Sequence, residues 1–184
     1  GEIHCLGKPT GSPKIHAAKP NRTPADKKDP LVGEILVATK FRQGFGLVLG
    51  MSEKWVGLVG NSSARLVGSG KPATMEALRE KFDREGFTAD RIGLFAGNAL
   101  ELGFPRYFAN LVVADESSGI RWSKESLAQV YSSLRPYGGS LCVPGSKQYR
   151  DAFRAAVKAS ALPGARLSEG KGFTLLKKDG ALPG

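Results

Sequence analysis

Histidine is almost missing from this chain. Of 184 residues only His4 and His16 are histidines, and both lie near its start. No serine farther along, Ser52 included, has an imidazole in its own domain to activate it, so Ser-His hydrolysis is excluded there. Cysteine is as scarce. Cys5 and Cys142 have no CxxC partner and no histidine at ligand spacing, so no zinc site is expected, and Cys142 reads as a small buried hydrophobe. No apolar run approaches the roughly 20 residues needed to cross a bilayer, so membrane insertion is not expected. Acid is in deficit, with 17 Asp and Glu against 27 Lys and Arg and a net charge of +10. Much of the surplus falls early, on Lys8, Lys14, Lys19, Arg22, Lys27 and Lys28. The rest is interleaved with acids, as in Arg79-Glu80-Lys81 and Asp83-Arg84-Glu85. A basic balance suits nucleic acid or another anionic surface. No aromatic-interleaved basic run accompanies it, so the expectation is a solvated surface with no specific nucleic-acid partner.

What is present is globular: 41% hydrophobic and 24% charged residues, in a length that allows one domain with a sizeable core and some tail. Gly1 opens in mid-pattern without an initiator Met, so the chain reads as a piece of something longer, with any export signal upstream. Residues 8–30 carry Pro9, Pro13, Pro20, Pro24 and Pro30 among Gly, Lys, Asn and Asp, the composition of a linker, and a boundary is placed near Pro30.

From Leu31 apolar patterns alternate between helix and strand. Leu31, Ile35 and Leu36 share a helical face, and Phe45 to Gly50 reads as a buried strand. Trp55, Leu58 and Val59 suit a helix that Gly57 and Gly60 weaken. Ala64 to Gly68 is a second strand. Pro72 suits the first position of a helix with Met75, Leu78 and Phe82 on one face and Gly86 at its end. Arg91 to Asn98 and Phe108 to Asp115 are strands three and four, the latter apolar almost throughout, as buried parallel strands are. Ser123 caps a helix with Leu127, Val130, Tyr131 and Leu134 inward. Ser140 to Val143 is the fifth strand, followed by a helix presenting Tyr149, Phe153 and Val157. A hairpin, Ala165–Glu169 with Phe173–Lys177, closes the chain. Such alternation predicts right-handed crossovers and a mostly parallel sheet. Ligands of these sheets bind beyond the carboxyl ends of the strands, here Gly50 to Lys54, Gly68 to Lys71, Asn98 to Leu100 and Asp115 to Ser117.

At these four places residues 31–178 resemble class I S-adenosylmethionine-dependent methyltransferases. Gly97-Asn98-Ala99-Leu100-Glu101-Leu102 with Phe104-Pro105 looks like the family's G-D-A-x-x-L-P-F stretch, whose acid meets the adenine amino group. Ala109 to Asp115 is similar to its F-D-L-V-x-x strand, and Leu134-Arg135-Pro136-Tyr137-Gly138-Gly139 to its L-R-P-G-G turn. The resemblance implies a Rossmann-like α/β fold with about seven strands, helices on both faces and a closing antiparallel hairpin. It also implies S-adenosylmethionine as cofactor, near Gly50, Ser52, Lys71, Asn98, Ala99 and Asp115. Departures from the pattern predict that this binding is weak or absent. In the G-x-G-x-G loop only Gly50 remains, Ser52 and Lys54 taking the other two positions. Val48 stands where an acid often precedes the loop, and Ser69-Gly70-Lys71 offers no acid to the ribose. Asn98 replaces the acid at the adenine.

Gly1 to Gly7 (GEIHCLG) resembles the last strand of a blade in pyrroloquinoline-quinone-type β-propellers, and residues 179–184 look like a return to such a partner. That implies a propeller-like domain of the same parent chain as partner, and an exported or periplasmic parent; without it, a cytoplasmic one. Asp115 and Glu116 are the best acidic pair for catalysis, against a plain solvated or capping role. Lys71 reads either as a phosphate partner or as a surface lysine, and Trp55 as pocket border or core. Two functions stand side by side: a non-catalytic interaction or structural module, and an active methyltransferase of unknown acceptor.

Overall fold

The computed structural model describes residues 29–60, 62–85 and 91–180. The expectations for Gly1 to Gly7, Cys5, the linker, the helix end at Gly86 and the last four residues fall outside them. The first helix, α1 (Pro30–Thr39), starts where Asp29 accepts hydrogen bonds from the Leu31 and Val32 amides, with Pro30 in the first turn where its missing N–H costs nothing. Strands β1 (Phe45–Leu49), β2 (Arg65–Gly70), β3 (Ile92–Ala96), β4 (Leu111–Ala114), β5 (Gly139–Pro144), β6 (Ala165–Gly170) and β7 (Phe173–Lys178) form one sheet in the order β3-β2-β1-β4-β5-β7-β6. The first five run parallel, and β7 enters antiparallel beside β5 and carries β6 at the edge. The mostly parallel sheet and closing hairpin are as expected.

Helices α2 (Pro72–Glu85), α3 (Lys124–Ser133) and α4 (Lys147–Ala159) complete the covering layers. The strands bury both faces because their side chains alternate. Val48, Leu66, Val113, Cys142 and Leu175 join the core under α1 and α2, with Trp55 at its centre. Leu47, Leu49, Val112, Leu141 and Leu176 join the opposite core under α3 and α4, with Phe153. Cys142 is fully buried and its thiol pKa is raised by that burial, in keeping with the hydrophobe reading. Ser123 caps α3 as expected, through a reciprocal box with Ser126.

Three elements differ in extent from the sequence reading. The segment after β1 is a seven-residue 3₁₀ helix, Glu53–Val59, with Trp55, Val56, Leu58 and Val59 all buried. Two glycines in so short a crossover leave no length for an α-helix to nucleate. Strand β3 stops at Ala96, because Gly97 takes φ +141 and Asn98 begins a turn. Strand β4 begins at Leu111 rather than Phe108: Ala109 bridges to Leu134, and the Asn110 side chain accepts the Phe45 amide.

Candidate functional site

The order of the sheet reverses direction between β1 and β4, so the crevice beyond their carboxyl ends is the switch point at which such folds take ligands. Here the two loops that leave these strands meet each other. Gly50 turns out of β1 with φ +84, a left-handed conformation that glycine adopts without steric cost. The Gly50 and Met51 amides both donate to the Ser69 carbonyl at the end of β2. Met51 is buried flat against β2, where a Cβ on Gly68 would come within 2.6 Å of its Cγ. From the other side Ser117 Oγ donates to the Gly50 carbonyl, and a Cβ on Gly50 would lie 2.6 Å from the Ser118 amide nitrogen. The loop after β4 therefore packs directly on the loop after β1.

Lys54 crosses this junction. Its Nζ lies 2.9 Å from Asp115 Oδ2 and 4.6 Å from the centre of the Trp55 ring. Asp115, 8% exposed, also accepts the Ser117 amide at 2.9 Å. Burial works to raise its pKa, but the Ser117 hydrogen bonds and Lys54 together outweigh it and hold the carboxyl below its ordinary value. Glu116 turns the other way. Its carboxylate accepts the Ser146 amide at 2.7 Å and the Ser146 hydroxyl at 2.8 Å at the start of α4, and these bonds lower its pKa. The two acids are neighbours in sequence but have separate partners, so they do not form a shared-proton pair.

The remaining expected site residues are dispersed. Ser52 precedes the 3₁₀ helix without making a side-chain cap. Lys71 is exposed just before α2 and its side chain pairs with no carboxylate among the described residues. Asn98 is spent on its own turn, accepting the Leu100 amide and donating to Glu101, while Ala99 is buried against the α3 face. Trp55 is core, not pocket border. Ser69 is fully buried, its hydroxyl without a partner.

Open space lies one step along, beyond β4 and β5. A cleft of about 520 Å³ runs between the start of α1 (Pro30, Leu31, Glu34), the Lys54–Asp115 pair with Glu116, the Pro144-Gly145 turn, and Lys171-Gly172 of the hairpin. Glu34 and Lys171 escaped the sequence reading because nothing local marks them; only the closing hairpin brings position 171 to position 34. Among the described residues no three His, Cys, Asp or Glu side chains converge as metal ligands.

Strand order and architecture match solved structures closely enough to name the fold. A methyltransferase from Geobacter sulfurreducens superposes with TM-score 0.62 at 17% identity, over 82% of this chain and 77% of its own. An S-adenosylmethionine-dependent O-methyltransferase from Thermotoga maritima gives 0.64 at 9% identity, over 85% and 67%. Precorrin-6y C5,15-methyltransferase from Geobacter metallireducens gives 0.60 at 11%, over 85% and 90%. The fold is that of the class I S-adenosylmethionine-dependent methyltransferases. No protein-family model matches the chain, and no curated protein matches it in sequence. In this chain the first crossover is a 3₁₀ helix whose first residues are Glu53 and Lys54.

Proposed function

We propose that this chain is a methyltransferase-fold domain in which S-adenosylmethionine binding is weakened or lost, and that it serves as a non-catalytic interaction or structural module of a larger protein. The observation that carries this reading is the Lys54–Asp115 ion pair, which bridges the switch-point crevice. The residues around that crevice do not fit the cofactor. A methionine carboxylate needs bare backbone and a helix amino terminus, but the loop carries Ser52 and Lys54 side chains and leads into a 3₁₀ helix of seven residues. The end of β2 presents Ser69, Gly70 and Lys71, none of which accepts two ribose hydroxyls as a carboxylate does. Losing two such bonds, at about 1.5–3 kcal/mol each, removes roughly 3–6 kcal/mol. That is a factor of about 10² to 10⁴ in affinity.

The partner this reading favours is a propeller-like domain of the same parent chain, reached through the basic linker, in an exported parent whose compartment lacks the cofactor. Calorimetric titration with S-adenosylmethionine tests the first step. No heat of binding is expected at about 100 µM ligand, given that loss. Ser52→Gly, Lys54→Gly and Lys71→Asp together should restore measurable binding. The second reading, an active methyltransferase of unknown acceptor, draws on the open cleft with Asp115 and Glu116 on its wall. Micromolar binding by the unmodified chain would put that reading first.

A further inference from the structure

The opposite pole of the sheet, where the parallel strands begin, carries a surface that the reading above leaves without a role. Residues 40–45, 62–66, 104–110, 134–140 and 176–178 converge there. Backbone hydrogen bonds fasten them together: Ser63 to Arg42, Ala109 to Ser133, Arg135 to Ala109, and Gly138 to Lys178. These stretches contain seven lysines and arginines and no Asp or Glu. Rings and cations alternate across them. The Arg65 guanidinium lies 5.9 Å from the Phe45 ring, Phe45 and Phe108 pack at 4.7 Å, and Lys178 Nζ lies 5.0 Å from the Tyr107 ring.

Tyr107 and Tyr137 stand out from this surface, 39% and 70% exposed. Both hold left-handed backbone, φ +59 and +60, which glycine or asparagine adopts far more readily than a bulky ring. Neither ring is buried deeply enough to offset that strain. Arg106 and Arg135 are exposed and pair with no carboxylate among the described residues. Exposed rings set among unpaired cations are what a single strand needs, because its unpaired bases stack while its phosphates meet positive charge. An acidic protein segment would use the cations but would leave the rings idle.

We propose that this pole binds single-stranded nucleic acid without sequence preference, bases stacking on Tyr107 and Tyr137 and phosphates meeting Arg65, Arg106 and Arg135. Loops and the first residue of β2, not a helix, present these groups, so no helix enters a groove to read bases and base identity goes unread.

Fluorescence anisotropy of labelled oligo-dT and oligo-U, about 12 nucleotides long, titrated with the full 184-residue chain over a salt series, tests this. Tyr107→Asn and Tyr137→Asn should each weaken binding about tenfold, with the slope of log K against log salt unchanged. Tyr137→Asn should raise the melting temperature at the same time, so its loss of binding cannot come from misfolding. Arg106→Gln should make the slope shallower by about 0.7, one phosphate contact. The tyrosine variants leave the basic amino-terminal segment unchanged, so any loss they cause is assigned to the pole. Unchanged binding by both tyrosine variants would overturn the proposal, as would an unchanged slope in Arg106→Gln. Competition by poly-glutamate as effective as by unlabelled oligonucleotide would overturn it in favour of an acidic protein partner.

Discussion

The two poles of the sheet differ in how fully their groups are used. Beyond the carboxyl ends of the strands, several charged groups are paired within the chain: Lys54 with Asp115, Lys81 with Glu53, and Glu116 with Ser146. The loops there are in contact, so that Gly50 has Ser118 against it. At the amino end, Arg106 and Arg135 pair with no carboxylate among the described residues, tyrosines hold strained backbone in the open, and Gly138 has nothing within 4 Å of where a Cβ would sit. In this chain the Lys54–Asp115 pair spans the switch point between β1 and β4, and the open cleft lies beside it. The far side presents exposed rings and cations that pair with no carboxylate among the described residues. Shared architecture thus says where a site stands in relatives, while the pairing state of individual groups says whether this chain still has it.

The contrast can be tested with one methyl group at each pole. Gly50→Ala forces a Cβ into the Ser118 backbone at a left-handed position, and should cost about 3 kcal/mol or more, from the conformational penalty plus the clash. Chemical denaturation reads it directly. A loss under about 1 kcal/mol would mean that the two loops separate easily and the crevice is open to ligands.

Tyr149, in the core against Gly145, gives the next largest effect, at high pH. Its hydroxyl is buried beside Trp122 and Ser118 without a well-formed hydrogen bond, and burial pushes its pKa up to about 12. The folded pKa lies above the unfolded one, so the unfolded chain ionises first. Stability should hold below about pH 10 and fall by about 2–3 kcal/mol as the pH rises toward 12. Tyr149→Phe should flatten that limb. An equal alkaline loss in wild type and variant would place the hydroxyl in water.

Asp115 acts at the other end of the pH scale. Its folded pKa is lowered, so the carboxylate contributes stability above the unfolded value of about 4 and loses it as the pH falls through the folded value. Asp115→Asn should make the acid limb of urea-denaturation midpoints less steep. Lys54→Ala, removing a partner that is 39% exposed, should cost no more than about 1 kcal/mol at neutral pH. An acid limb equally steep in Asp115→Asn would show that the pair does not hold the crevice closed. The smallest effect is expected at the open pole: Gly138→Ala should cost only about 1 kcal/mol, its left-handed backbone alone, since the added methyl meets nothing. A loss matching that of Gly50→Ala would erase the difference between the poles.

Much of the fold was legible because period and composition report burial, and burial on both faces demands a covered parallel sheet. The alternation of Leu47, Val48 and Leu49, the unbroken apolar run Leu111–Ala114, the Ser123 cap and the Gly-rich hairpin each point to their element without reference to anything distant. The loop substitutions at Ser52 and Lys54 were equally legible as departures from a glycine pattern. What lay beyond reach was contact between segments far apart in the chain. The salt bridge from Lys54 to Asp115 spans 61 positions, and no local rule pairs them. The first crossover was read as a helix because Trp55, Leu58 and Val59 have helical spacing; a 3₁₀ turn buries those same side chains within fewer residues. The basic surplus looked like tail and mixed surface because the cations at the amino pole are spread over five short segments. Local sequence, through steric preference and the alternation of side chains, determined the elements, their order and the left-handed turn at Gly50. Tertiary structure alone decided which charges meet: sheet order carried Lys54 to Asp115, and brought Arg65, Tyr107, Tyr137 and Lys178, scattered along the chain, to one pole.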